Sequence, residues 1–190
     1  MGAPLKLPPI VILDADVLVQ APIRDTLLRL AEGPALYRVR WSAEIVTEMK
    51  RTLEAKLGVA PARTSHLESQ LREHFPEAWV EGFEALVPQM ANHPKDRHVL
   101  AAAVHAKART IVTYNLRDFP SESTRPWRIT AVGPSTFLKR MYNAHPALVL
   151  ETLRQQAADI SRAFEDQLRT LYKAVPAFID AVRHDTGAQI

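Results

Sequence analysis

The strongest pattern in the chain is the apolar run Ile10-Val11-Ile12-Leu13, which stops on Asp14. Four aliphatic residues in succession, three of them β-branched, predict a fully buried strand. An acid cannot continue such a strand, because an unpaired carboxylate is costly to bury. Asp14 is therefore expected where the strand leaves the core, at its carboxyl end. After a short linker, Pro22 opens a predicted helix over Ile23 to Glu32, with Gly33 beyond its end. Leu36 to Trp41 alternates apolar and polar positions and predicts the second strand. Ser42 is a good N-cap for a helix to about Leu57, which Gly58 and Pro61 break. A third helix covers about Ala62 to His74 and stops before Pro76. Trp79 to Val87 predicts a short strand or turn. Pro94-Lys95-Asp96 begins a helix through Val99, Leu100, Ala103, Val104 and Ala106. Thr110 to Thr113 and Arg128 to Val132 are two further predicted strands, and Pro134 starts a helix through Met141.

Strands that alternate with helices predict parallel pairing through helical crossovers. In open parallel sheets, ligands bind at the rim where the strands end. Beyond Pro146 the pattern changes. Leu150, Leu153, Ala157, Ile160, Phe164, Leu168, Leu171 and Val175 form one helical stripe. An unbroken helix of that span would be roughly 40 Å long, so the segment breaks, folds back as a helical pair, or projects. The expected organisation is an α/β domain over residues 8–145 and a helical C-terminal extension over 146–190. Arg154, Arg162, Arg169 and Lys173 lie on a face beside the stripe. They read either as a solvated face or as a nucleic-acid or partner surface.

Composition narrows the chemistry. The 190 residues contain no cysteine, which removes disulfides and thiolate metal sites and fits a reducing compartment. No apolar run approaches a membrane span and no leader is evident, so a soluble, cytoplasmic protein is expected. A net charge of +3 permits nucleic-acid binding, but any basic surface must be local.

Four acids are expected near the rim. Asp14 ends the first strand, Glu48 lies two turns into the helix after the second, Asp96 begins a helix, and Asp118 follows Thr113-Tyr114-Asn115-Leu116-Arg117. Asp16 is a fifth candidate. Separately, each has an ordinary reading: helix cap for Asp96, turn former with Asn115 for Asp118, exposed helix acid for Glu48, with Glu44 as the competing choice. Together, converging carboxylates repel and resist ionisation unless a cation neutralises them. A hard divalent ion such as Mg2+ suits an all-oxygen donor set. His93, His98 and His105 flank Asp96, but their spacing does not match a paired zinc site, and they read as ordinary surface histidines. Tyr114 falls at the rim. There is no Gly-rich phosphate loop and no G-x-S-x-G elbow.

Taken in order, four segments resemble the PIN-domain family of metal-dependent nucleases, whose largest group is the VapC-type toxins. They are Val11 to Leu18, Ser42 with Glu48, Asp96 to Ala103, and Ile111 to Phe119. The resemblance covers about residues 10 to 140, and the tail is similar to that of a larger VapC-like subgroup. It implies a five-stranded parallel sheet with helices on both faces, and acids that bind one or two Mg2+ or Mn2+ ions and cleave RNA. Carried across, Asp14, Glu48 and Asp96 match the first three acids. Asp118 would supply the fourth charge, with Asn115 a neutral ligand or orienting group and Thr113 a support. Asp16 departs from the usual Asn, Ser or Thr and adds a charge beside Asp14. Lys95, Arg97, Lys107 and Arg117 lie close in sequence and are candidate RNA contacts. The family further implies an RNA substrate and a cognate antitoxin, and the apolar stripe of the tail leaves a homodimer open.

Two alternatives stand beside this. Asp14-Ala-Asp16-Val17 also resembles the opening motif of haloacid-dehalogenase phosphatases, with Asp14 as nucleophile and Thr113 as second motif. Lys139 is present further on, but the paired acids of that fold are not. The third reading is a PIN-like module that binds RNA or protein without cutting.

Overall fold

The computed structural model describes residues 7–190, so part of the expectation that the amino terminus carries no leader, residues 1–6, lies outside the described residues. Strand β1 (Ile10–Leu13) leads into two helices, α1 (Ala15–Val19) and α2 (Ala21–Glu32). Strand β2 (Arg38–Arg40) is followed by α3 (Ala43–Leu57) and α4 (Pro61–His74). Three short 3-10 segments, the last at Pro94–Asp96, lead to α5 (Arg97–His105). Then come β3 (Thr110–Val112), a 3-10 turn at Leu116–Asp118, and α6 (Ser121–Thr124). Strand β4 (Thr130–Val132) and α7 (Pro134–Ala144) complete the α/β part.

The sheet is fully parallel, in the order β2-β1-β3-β4. It has four strands among the described residues, not the five expected. The fifth candidate, Trp79 to Val87, forms a single bridge from Trp79 to Trp41 and then turns away. Gly82 takes φ +76° and the chain coils into a 3-10 segment from Glu84, so that segment does not extend a ladder. The linker expected after Asp14 is instead α1. The Asp14 carboxylate caps it, accepting from the Ala15 N–H at 2.7 Å.

The strand order has a functional consequence. From β1 the chain crosses to β2 on one side, then returns past β1 to β3 and β4 on the other. The point where the winding reverses lies between β1 and β3, and a crevice opens there at the carboxyl rim. Helix α5 precedes β3, so its first turn also lies at that rim.

The tail folds back as three helices: α8 (Pro146–Asp159), α9 (Phe164–Tyr172) and α10 (Pro176–Thr186). Ser161 at φ +51° and Pro176 supply the breaks. Val149, Leu153, Leu168, Leu171, Val175, Phe178, Ile179 and Val182 belong to the same hydrophobic core as the sheet residues. Helix α8 is fastened to α2 through buried polar groups. The Thr26 hydroxyl donates to Gln156 Oε1 at 2.9 Å, and Gln156 Nε2 donates to the Pro22 carbonyl at 3.1 Å. No helix among the described residues is long and apolar enough to cross a membrane.

Candidate active site

Asp14 stands at the end of β1, and its N–H donates to the Val112 carbonyl of β3 at 3.0 Å. It is therefore fixed over the winding reversal by the ladder itself, and it is only 3% exposed. Burial, the neighbouring Asp16 and the more distant Asp96 push its carboxyl up to about 7 from an ordinary 3.8, against the opposing pull of Thr113 and the Ala15 N–H.

Asp16 reaches across the crevice. Its Oδ2 accepts from the Tyr114 N–H at 2.9 Å, the Asn115 N–H at 3.1 Å and the Thr113 hydroxyl at 3.2 Å. One carboxylate oxygen thus ties the segment after β3 to α1. The other, Oδ1, is buried and finds no hydrogen-bond partner among the described residues. Such an orphaned acceptor costs about 1–3 kcal/mol, and a cation would satisfy it. Burial raises the Asp16 carboxyl despite the donors on Oδ2.

Glu48 comes from α3. Ser42 Oγ caps that helix by accepting from the Ile45 N–H at 3.2 Å, which sets its first turn at the rim. Asp96 ends the 3-10 segment at the head of α5. Its carboxyl is raised by burial first and by Asp118 next; His93 opposes this and Glu48 adds to it. One cleft of about 560 Å³ is lined by Asp14, Asp16, Glu48, Lys95, Asp96 and Asn115. Asp118 stands outside that lining, grouped with Asp96 and His93 so that one ligand atom from each lies within 4.8 Å of the others. His93 Nδ1 is 3.3 Å from Asp96 Oδ2.

The remaining expectations divide. Thr113 is buried between the two strand-end acids, where its hydroxyl also accepts from the Asn115 N–H at 2.9 Å. Lys95 lines the cleft. Arg97 is turned into its own loop, where Nε donates to the Asn92 carbonyl at 3.3 Å. Arg117 is exposed on the 3-10 turn beside Asp118. Lys107 is not at the site. It follows the far end of α5, about 15 Å along the helix from Asp96, because closeness in sequence along a helix is distance in space. Sequence reasoning missed Arg51 and Lys56, which line the cleft from α3.

It also misjudged His98, which is not a surface histidine but is 5% exposed. Its Nε2 is 3.5 Å from Glu48 Oε1 and its Nδ1 is 3.6 Å from Glu44 Oε2. Burial disfavours its charge, but Glu48 and Glu44, with Asp14 behind them, hold its pKa above the ordinary value. The signal was present in the sequence. His98 shares its helix face with Ala101 and Ala102, both fully buried.

The donor set fits a hard divalent cation. It offers carboxylate oxygens on three elements, a buried acceptor with no partner, and acids whose pKa values are raised first by burial and then by neighbouring acids. Asp96 would hold it from one wall, with Asp118 and His93, whose ligand atoms lie within 4.8 Å of its own, and Asp14 and Asp16 Oδ1 would face it from the other wall of the cleft.

Comparison with known proteins places this geometry. A profile described as the PIN domain matches residues 10–117, more than half of the chain. A protein of Mycobacterium tuberculosis named "Putative ribonuclease VapC50" is 49% identical over 61 residues, which is 32% of this chain and 36% of that protein. The chain thus matches little more than a third of that relative's length. No solved structure matches. The chain belongs to the PIN-domain family.

Proposed function

We propose that this protein is a ribonuclease that hydrolyses an RNA phosphodiester with a divalent metal ion, Mg2+ or Mn2+. The observation that carries this reading is the convergence of Asp14, Asp16, Glu48 and Asp96 on one cleft at the winding reversal of the sheet. When bound, the ion polarises the scissile phosphate and lowers the pKa of a water molecule. Asp14, Asp96 and Asp118 would hold it, and Asp16 would contribute Oδ1 while Oδ2 stays bound to the segment after β3. Glu48 Oε1 lies 3.5 Å from His98 Nε2, an ion-pair distance without a hydrogen bond, and the Glu48 carboxylate at the cleft would orient the attacking water and accept its proton. Asp118 repels Asp96 in the absence of a cation and would share one with it, and Asn115 lines the cleft. Lys95, Arg51 and Lys56 meet the phosphates that flank the scissile bond.

The name of the Mycobacterium tuberculosis relative supports RNA as the substrate and the toxin role. On this reading the protein is the toxin of a toxin–antitoxin pair, works in the cytoplasm, and is restrained by a cognate antitoxin. Family membership speaks against the phosphatase alternative, as does the use of Asp16 Oδ2 as a tether between α1 and the segment after β3.

The test is RNA cleavage by purified protein freed of any bound inhibitor. Cleavage is expected with Mg2+ or Mn2+, and loss of cleavage with a chelator and in Asp14→Asn and Asp96→Asn. If metal-loaded wild-type protein binds RNA but never cuts it, the non-catalytic reading replaces this one.

A further inference from the structure

The basic residues of the tail, which the proposed chemistry leaves unused, lie at the end of a chain of depressions that starts at the active cleft. Gln20 lines both that cleft and a second hollow of about 380 Å³. The second hollow is floored by Pro22, Ile23 and Ala174 and flanked by Tyr114 and Lys173. Thr170 and Lys173 are shared in turn with a third hollow of about 330 Å³, where Arg162 and Arg169 stand. The three form a continuous path across the sheet rim and onto α9.

Each stretch of the path has its own chemistry. The first is acidic and suits a phosphate that arrives with a metal ion. The second mixes apolar residues, Pro22, Ile23 and Ala174, with polar ones, and Tyr114 beside it is 39% exposed. Its backbone N–H is fixed by Asp16, so its ring stands on an anchored stretch of chain. The third carries three cations against a single acid, Asp166, which pairs with Arg169. Arg162 makes no ion pair among the described residues; its Nη1 donates to neutral groups, Gln167 Oε1 at 3.0 Å and Thr170 Oγ1 at 3.3 Å. Gln167 is 1% exposed, so a buried side chain holds an exposed guanidinium in place.

We infer that this path binds the flank of a single-stranded RNA substrate, with a base seated against Tyr114 and the following phosphates on Lys173, Arg162 and Arg169. A phosphodiester chain needs cations and a stacking surface in alternation, and every base offers a ring face whatever its identity. A duplex keeps its bases inside and has none to give to the hollow beside Tyr114. The path also supplies the local positive field that a net charge of +3 does not provide overall. This inference rests on the ribonuclease reading and extends it from the scissile bond to the strand around it.

The test measures binding of fluorescent single-stranded RNA to the full chain by anisotropy, across a salt series, with strands of about 4 and about 16 nucleotides. Wild-type protein is expected to bind the longer strand more tightly. In Arg162→Gln/Arg169→Gln/Lys173→Gln most of that length advantage should disappear. The slope of log affinity against log salt should fall in magnitude by about 2, since each lost phosphate contact on a single strand contributes about 0.7. Tyr114→Ala should weaken binding at least about fivefold. Thermal melting checks that the variants fold, and all three cations are exposed. If wild-type protein cuts RNA and the triple variant keeps its affinity and salt slope, the path is overturned and the ribonuclease reading survives. If wild-type protein neither binds nor cuts RNA, both fall. If the triple variant keeps RNA but loses an acidic protein partner, the surface is a protein-docking site and the inference is overturned.

Discussion

Asp14 carries two properties that pull against each other, burial and charge. Its carboxyl titrates near 7 in the folded chain against 3.8 ordinarily. Between these values the folded protein holds a proton that the unfolded chain has released, so stability falls as pH rises through that window. Above about pH 7 the buried ionised carboxylate destabilises the ion-free protein. Asp14→Asn removes the charge and keeps an oxygen to accept from the Ala15 N–H, and Asn is a good N-cap. The ion-free variant should therefore melt higher than wild type at about pH 8 and close to it near pH 4, while cleavage disappears. Metal affinity of wild type should rise with pH through about 7, as the ion competes with the proton; a calorimetric titration at several pH values measures this. His98 acts at one remove. His98→Gln should lower kcat by about 10- to 100-fold and leave KM for RNA nearly unchanged, since the histidine touches Glu48 and not the cleft wall. A change confined to KM would assign His98 a different role.

Helix α3 shows how an element carries a candidate catalytic group, Glu48. Ser42 is 1% exposed and caps its first turn, and Glu44 and Glu48 stand one turn apart on the face that meets His98. Ser42→Ala should cost about 1 kcal/mol, lowering the melting temperature by about 2–4 °C. Activity should fall as well, because the rim end of the helix sets where Glu48 points. These local features were legible in the sequence. The Ser42 cap, the left-handed Gly58 that ends α3, the β-branched run of β1 and the acid that stops it are all signals within a few residues. What the sequence concealed depends on residues far apart along the chain. His98 meets acids from another helix, Asp16 spends one oxygen on backbone N–H groups after β3, and Trp79 finds only one bridging partner. The acids could be located by where strands and helices begin and end. Their separation into cleft residues and an outlying Asp118 required the fold.

At the scale of the whole molecule, the question is whether the tail is a separate unit. The change of pattern at Pro146 suggests a boundary, and the helical stripe in the sequence could equally have projected or paired with a second copy. In the structure most of that stripe is spent internally, with Ile160 left exposed. Phe178 packs edge-on against Tyr142 with ring centroids 6.2 Å apart, and the Tyr142 hydroxyl donates to Asp185 at 3.0 Å. Arg29 and Asp159 join α2 to the end of α8 at 2.6 Å. Gln156 is the most telling contact, since it is 2% exposed and its amide bonds to both Thr26 and Pro22. Gln156→Ala removes both bonds, and because the Thr26 hydroxyl and the Pro22 carbonyl still bond each other at 3.0 Å it should cost about 1 kcal/mol, whereas Ile160→Gln, at a position 54% exposed, should cost little. We therefore propose that residues 8–145 and 146–190 fold as one cooperative unit. A chain cut after residue 145 uncovers the apolar faces of α2 and α7 and should be aggregated or molten. Circular dichroism and thermal melting decide it. A truncated chain with a sharp transition at the wild-type temperature would make the tail an independent appendage, and would remove α9 from any role in holding the substrate strand.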